Sequence, residues 1–160
     1  IILQIGKTFG HLYQSVFFKE IYSITEGPPP EVNLSNEKSN GEIVLKLIKN
    51  RLIESVHDIS SGGLILALTE MCLPSGFGLK VDKPSKLSNL MEYYFGEDQG
   101  RYLLEIDPIN LAKVIKILSE NNIYNEKVAT VQKDNLEILG ELKINVGDLY
   151  KINNSWYNNY

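Results

Sequence analysis

The sequence has few of the residues on which disulfide-bonded, metal-binding and membrane proteins depend. Cys72 is its single cysteine, which excludes an internal disulfide and any multi-cysteine metal site. No stretch approaches the roughly 18 consecutive apolar residues that span a bilayer as a helix. Arginine is also scarce, and the net charge of −4 argues against a protein that binds nucleic acids or membrane surfaces in general.

The length of the chain suits one folded domain over residues 1–160. A chain of this length buries roughly 70% of the surface that its unfolded form exposes, so it can form a core without disulfides. The absence of disulfides and of a recognisable signal peptide predicts a cytoplasmic setting. The first residue is Ile1 rather than Met, and residues 1–5 already resemble a strand. We therefore expect a piece of a longer polypeptide.

Short apolar segments alternate with amphipathic ones along the chain, which predicts an α/β (α+β) domain with a layered mixed sheet and packed helices. The proline-rich segment 27–41 reads as a surface connection, because proline does not fit a helix interior or a central strand. The predicted strands cover 1–5, 55–59, 76–82, 101–107, 126–132, 136–142 and 143–147. The predicted helices cover 15–24, 43–53, 63–73, 86–95, 109–120 and 147–156.

The segment VHDISSGG at 56–63 joins a predicted strand to a predicted helix. Free backbone N–H groups and the helix dipole at such a junction favour an anion, typically phosphate. Gly62 and Gly63 allow close approach of the backbone or a positive φ, and Ser60 can cap the helix or donate to a phosphate. A capped helix after a tight turn is the alternative interpretation. The segment is not a P-loop, because the Lys-Ser/Thr element is missing.

His57 and Asp58 form a second feature of this junction. The two residue types could act as a general acid and base. Adjacent residues of a regular strand point to opposite faces, however, so both cannot face one site. A hydrogen-bonded structural histidine is the alternative.

A second unusual segment, FGEDQGRYLLE at 95–105, contains two adjacent carboxylates, Glu97 and Asp98, followed by Gln99. The carboxylates could bind Mg²⁺, and Gln99 or Arg101 could contact a phosphate or an amide. On its own features, the segment predicts a solvated acidic turn with a surface arginine.

The aromatic pair at Phe17 and Phe18 lies in the predicted helix 15–24. It lacks the interleaved basic residues of a nucleic-acid stacking surface. Phe17 fits the core face of that helix, and a homodimer interface is the alternative.

Three segments stand in a fixed order: IGKTFGHLYQSVFFKEI, then VHDISSGGLILALTEMCL with GFGLKVD after it, then FGEDQGRYLLEID. Together they resemble the C-terminal domain of the AIR-synthetase/FGAM-synthetase superfamily, whose members share an HD-[IV]-[ST]-x-GG-L junction and an E-[SD]-Q-x-R turn. The GHL-x-QS loop resembles the phosphoribosylformylglycinamidine (FGAM) synthases in particular. Selenophosphate or AIR synthetases, and a non-catalytic dimerisation module, are the alternative assignments.

The resemblance implies a function in de novo purine synthesis. FGAM synthases convert formylglycinamide ribonucleotide (FGAR), ATP and glutamine or ammonia into FGAM, ADP and phosphate, with Mg²⁺ neutralising charge. The catalytic histidine and most ATP and Mg²⁺ ligands of the family belong to N-terminal domains. The resemblance therefore implies an inactive piece, with no catalytic residue or metal ligand of its own. Its implied partners are the N-terminal ATP-binding domains of the same polypeptide and a glutaminase that supplies ammonia.

The resemblance also implies where a substrate or phosphate would lie. Two positions depart from the family pattern, since Ser61 replaces the usual Asp and Asp98 replaces the usual Ser. The expected substrate- or phosphate-binding residues are Asp58, Ser60, Gly62, Gly63, Glu97, Asp98 and Gln99.

Overall fold

The computed structural model describes residues 1–84, 89–155 and 157. The strands of this described part are β1 Ile2–Ile5, β2 Ser55–Ile59, β3 Gly78–Val81, β4 Arg101–Glu105, β5 Asn125–Gln132, β6 Asn135–Ile138 and β7 Leu142–Asn145. They form a central seven-stranded sheet with the strand order β2-β4-β1-β5-β3-β6-β7. Neighbouring strands are antiparallel except for β3 and β6, which are parallel. The predicted mixed sheet is therefore confirmed.

The helices pack on both faces of the sheet, which gives the layered α/β architecture predicted from the sequence. They are α1 Val16–Tyr22, α2 Leu34–Lys49, α3 Gly63–Ser75, α4 Leu90–Phe95, α5 Pro108–Glu120 and α6 Val146–Ser155. Among the described residues no helix has both the length and the apolar character needed to cross a membrane.

Alternating residues of the central strands supply two separate cores. On one face, Ile2 and Leu103 pack with Leu64 and Leu68 of α3. On the other face, the strand residues Leu3 and Leu104 pack with α2 and α5. Helix α3 is thus the main cover of one face, and its N-terminus lies at the end of the edge strand β2.

The structure corrects the prediction for the connection at 27–41, because α2 begins inside it, at Leu34. The Asn33 side chain accepts a hydrogen bond from the backbone N–H of Asn36 at 3.0 Å and caps the helix,. The prolines themselves remain outside the helix. The prediction placed the helix start nine residues too late because it gave the proline run more weight than the cap.

Two other helix ends differ from the predictions. Helix α3 continues past Pro74 to Ser75 and is capped by Gly76, whose φ of 71° suits a left-handed cap,. The predicted helix 86–95 begins at Leu90 in the structure, and residues 85–88 lie outside the described part. Trp156, which the sequence placed in the last helix, also lies outside it.

Candidate functional site

Asp98 is the anchor of the loop that follows β1. Its carboxylate accepts hydrogen bonds from three consecutive backbone N–H groups, those of Phe9 at 2.8 Å, Gly10 at 2.9 Å and His11 at 3.3 Å. The residue is only 5% exposed. A carboxylate that satisfies several backbone donors in a buried setting fixes the chain that carries them. Asp98 therefore holds the glycine-containing loop 6–15 against the turn 96–100.

Glu97 connects the starts of two helices. Its Oε1 atom accepts from the backbone N–H of Val16, at the start of α1, and from that of Gly62, just before α3, both at 2.7 Å. Helix N-termini favour negative charge, so this carboxylate occupies the position that an anion would take at the junction. The three segments singled out in the sequence thus meet at the side chains of Glu97 and Asp98.

Arg101 lies beneath this turn and is 1% exposed. Its guanidinium donates to the carbonyl oxygens of Asp98 at 3.0 Å and Gly96 at 2.6 Å, and to Thr8 Oγ1 at 3.1 Å. Burial lowers the pKa of this guanidinium, and the nearby Asp98 carboxylate opposes that change,. The prediction of a solvated turn with a surface arginine is therefore wrong.

Gln4 extends the same network into the sheet and was not singled out from the sequence. Its Nε2 donates to the Gly6 carbonyl oxygen at 2.8 Å and to Thr8 Oγ1 at 2.9 Å. A glutamine between Leu3 and Ile5 in a four-residue apolar strand is the signal that could have found it, because a buried polar side chain needs partners.

Gln99, in contrast, is exposed and lines an open cleft of about 1040 Å³. The cleft lies between loop 6–13, the first half of α2 and the segment 121–124. Amide side chains and carboxylates dominate its polar lining, and Lys7 is its only Lys or Arg within the described residues. The cleft therefore does not provide the several cations that a triphosphate requires.

The junction residues behave differently from the acidic turn. Asp58 and Ser60 are exposed, whereas Gly62 and Gly63 are buried. The Gly63 N–H donates to the Ser60 carbonyl oxygen at 3.1 Å, so the backbone of Ser60, not its hydroxyl, holds the helix start. None of these four residues lines the large cleft.

His57 fits the structural alternative better than the acid–base one. Its Nδ1 lies 2.6 Å from the Asp58 carbonyl oxygen, and its Nε2 lies 3.5 Å from a carboxylate oxygen of Glu70. Its ring is thus held between a backbone oxygen and a helix carboxylate.

Phe17 is only partly buried, and no residue of α1 is fully buried. Its ring stacks on Phe95 with centroids 4.4 Å apart and an interplanar angle of 19°. The predicted core position is therefore wrong: the ring covers α4 at the surface.

The described residues do not fit a Mg²⁺–ATP site on their own. Nowhere in 1–84, 89–155 and 157 do three His, Cys, Asp or Glu side chains lie together as metal ligands. Glu97 and Asp98, the carboxylates considered for Mg²⁺, already accept from five backbone N–H groups.

The family model described as "AIR synthase related protein, C-terminal domain" matches residues 14–140. The chain belongs to this family. Its matched part includes the junction, the acidic turn and Arg101, so the family resemblance expected from the three segments is confirmed.

Curated relatives align with nearly the whole length of the chain. The chain is 47% identical over 160 residues to phosphoribosylformylglycinamidine synthase subunit PurL of Pelagibacter ubique, which covers 100% of the chain and 22% of the relative. It is 40% identical to the same subunit of Bartonella bacilliformis, covering 98% of the chain and 21% of the relative. The chain therefore spans about a fifth of the length of these curated relatives.

Solved structures confirm the AIR synthase related fold. T. maritima PurL complexed with FGAR matches with a TM-score of 0.76 and 18% identity, over 93% of this chain and 27% of that one. T. maritima PurL complexed with ATP matches with a TM-score of 0.69 and 17% identity, over 94% and 25%. At these identities the likeness establishes the fold alone.

Proposed function

We propose that this chain is the C-terminal domain of an FGAM synthase, in its synthetase subunit. The complete enzyme would be a carbon–nitrogen ligase of de novo purine synthesis that converts FGAR to FGAM with ATP and ammonia from glutamine. The observation that carries this proposal is the 47% identity to subunit PurL across all 160 residues. The fold alone does not distinguish this enzyme from others that share it, because one fold serves several functions.

The complete enzyme would need parts that this chain does not contain. The N-terminal domains of the same polypeptide would supply the catalytic histidine and the residues that hold ATP and Mg²⁺, since the described carboxylates are already engaged. ATP would activate the amide oxygen of FGAR, and Mg²⁺ would neutralise charge on the transferred phosphoryl group. A glutaminase would supply the ammonia, and the enzyme would act in the cytoplasm.

Within this arrangement we assign two roles to the expected site residues. The exposed side chains of Asp58, Ser60 and Gln99 would contact substrate or phosphate in the assembled enzyme. The other four residues would keep the surface that carries these side chains in shape through backbone contacts: Gly62, Gly63, Glu97 and Asp98. Positioning of this kind matters because a displacement of about 1 Å can cost a hundredfold in rate.

The test is an assay of the complete polypeptide that contains this chain. We expect it to form FGAM from FGAR only when ATP, Mg²⁺ and ammonia are all present. A complete, folded polypeptide that gives no turnover with saturating ammonia would refute the proposal.

Gln99→Ala tests the assigned contact in the same assay. Losing one hydrogen bond to substrate should lower kcat/KM for FGAR about tenfold, with an unchanged melting temperature. Asn153→Ala is the matched control, because it removes another exposed amide that lies on α6 and outside the cleft lining. If the two variants behave alike, Gln99 does not contact the substrate.

A further inference from the structure

A smaller pocket of about 300 Å³ lies at the C-terminal end of α3, on the face of the sheet that this helix covers. Its floor consists of the buried residues Ile2, Cys72 and Leu79. Burial raises the pKa of the Cys72 thiol to about 11, so the thiol is uncharged near neutral pH and the floor is apolar. The volume is at the lower end of the range found for small-molecule sites.

This pocket is separate from the residues that we propose to contact or position the substrate. It shares no lining residue with the cleft of about 1040 Å³, and none of the seven expected site residues lines it. An inference about this pocket therefore does not depend on the proposed enzyme function.

Two carboxylates, those of Glu70 and Glu105, line the pocket. Glu105 pairs in register with both Ile2 and Ser55, so its side chain shares the pocket face of the sheet with theirs,. Its Oε2 accepts from Ser55 Oγ at 2.7 Å. Glu70 lies 3.5 Å from the His57 Nε2. The described lining contains no Lys or Arg.

We propose that this pocket binds a small molecule with an apolar body and a cationic amine head, such as an arylalkylamine. The apolar body lies on the floor of Ile2 and Leu79. The ammonium donates to Glu105 Oε1, and Glu70 adds a second negative charge at the same opening. Charge-assisted hydrogen bonds of this kind are about twice as strong as neutral ones, so the charge of the head decides the affinity.

The test is isothermal titration calorimetry on the complete polypeptide. The probe is 2-phenylethylamine, and 2-phenylethanol is the neutral control with the same ring and chain. We expect a Kd of about 1 mM or tighter for the amine. The alcohol should bind at least about tenfold more weakly, because it lacks the charge that faces Glu105.

Variants locate the binding. Glu105→Gln keeps the side-chain size and removes the charge, so it should weaken amine binding about tenfold. Val131→Trp fills the pocket from its exposed wall and should abolish binding. Glu120→Gln is the matched control, since this exposed carboxylate lies on α5, across the sheet from the pocket. It should leave the affinity unchanged.

Several results would overturn the proposal. They are equal affinities for the amine and the alcohol, no heat of binding at about 10 mM amine, or unchanged amine affinity in Glu105→Gln. A melting temperature close to that of the parent shows that each variant is folded. FGAM formation is measured in parallel: if turnover is absent while charge-dependent amine binding persists, the enzyme assignment fails and the pocket assignment stands.

Discussion

Asp98 and Asp58 were both expected at the site, yet the structure gives them opposite settings. Asp98 is 5% exposed and accepts from three backbone N–H groups. Asp58 is exposed, and its carboxylate lies 4.0 Å from His57 Nδ1 without a hydrogen bond to the backbone of another element. The same residue type is therefore part of the framework at position 98 and available to a ligand at position 58.

The difference teaches that the number of backbone donors, not the residue type, separates an anchoring carboxylate from a contacting one. A carboxylate whose oxygens already satisfy buried N–H groups cannot leave them without exposing unpaired donors, which costs about 1–3 kcal/mol for each. An exposed carboxylate carries no such cost. Loss of an anchor should lower stability, whereas loss of a contact should lower activity alone.

The largest effect on stability should come from replacing Arg101, the buried cation next to Asp98. Arg101→Met would remove the donors that reach Thr8, Gly96 and Asp98, and would leave the Asp98 carboxylate buried beside no positive charge. Breaking a buried charged pair from one side costs about 3–5 kcal/mol. We expect a fall of that size in the free energy of unfolding, measured by urea denaturation with far-UV circular dichroism.

Arg51→Met is the control for this variant. Arg51 is the other arginine of the chain and is exposed, so the same substitution there should change the free energy of unfolding by less than about 0.5 kcal/mol. Similar losses at Arg51 and Arg101 would mean that the buried network does not stabilise the fold.

An intermediate effect is expected where the junction meets the acidic turn. Gly63 has a φ of 69°, and a Cβ placed on it would lie 2.7 Å from the Gly96 carbonyl oxygen and 2.7 Å from the Phe95 carbonyl carbon. Backbone atoms cannot move away cheaply, so Gly63→Ala should cost about 3 kcal/mol, as the sum of strain at positive φ and overpacking.

Gly62→Ala is the matched comparison. Its φ of 79° is similar, but a Cβ there would meet one side chain rather than backbone, at 2.5 Å from Leu66 Cδ2 and 2.8 Å from Leu66 Cβ. A rotamer change moves the Cδ2 atom but not the Cβ atom, so part of the contact remains. We expect a loss of about 2 kcal/mol, from the strain at positive φ and this smaller overpacking, measured by the same denaturation. An equal or larger loss for Gly62→Ala would show that the close contact with Gly96 is not rigid.

Much of the fold was accessible from the sequence because its signals are local. Apolar periodicity predicted β2 and placed α5 to within a residue at its start. The start of α2 was missed although a local signal existed, since Asn33 lies shortly after the proline run and caps the helix. A prediction that gave the capping residue more weight than the prolines would have placed the start of α2 correctly.

The roles of the individual site residues could not be predicted from local signals in the sequence. The backbone partners of Asp98 lie 87 to 89 residues away along the chain, and no spacing rule connects positions so far apart. The burial of Arg101 depends on the same long-range contacts. The resemblance to a family brought the right segments together, but only the coordinates separate the anchoring residues from the exposed ones.

The smallest of the three effects compares the two aspartates directly. Asp98→Asn replaces a carboxylate oxygen by an amide NH₂ group, which cannot accept from backbone N–H groups, so at least one of the three donors loses its partner,. We expect a loss of about 2 kcal/mol in the free energy of unfolding. Asp58→Asn should lose less than about 0.5 kcal/mol, while lowering FGAM formation in the complete polypeptide if Asp58 contacts the ligand. The reverse order of stabilities would contradict the distinction between anchor and contact.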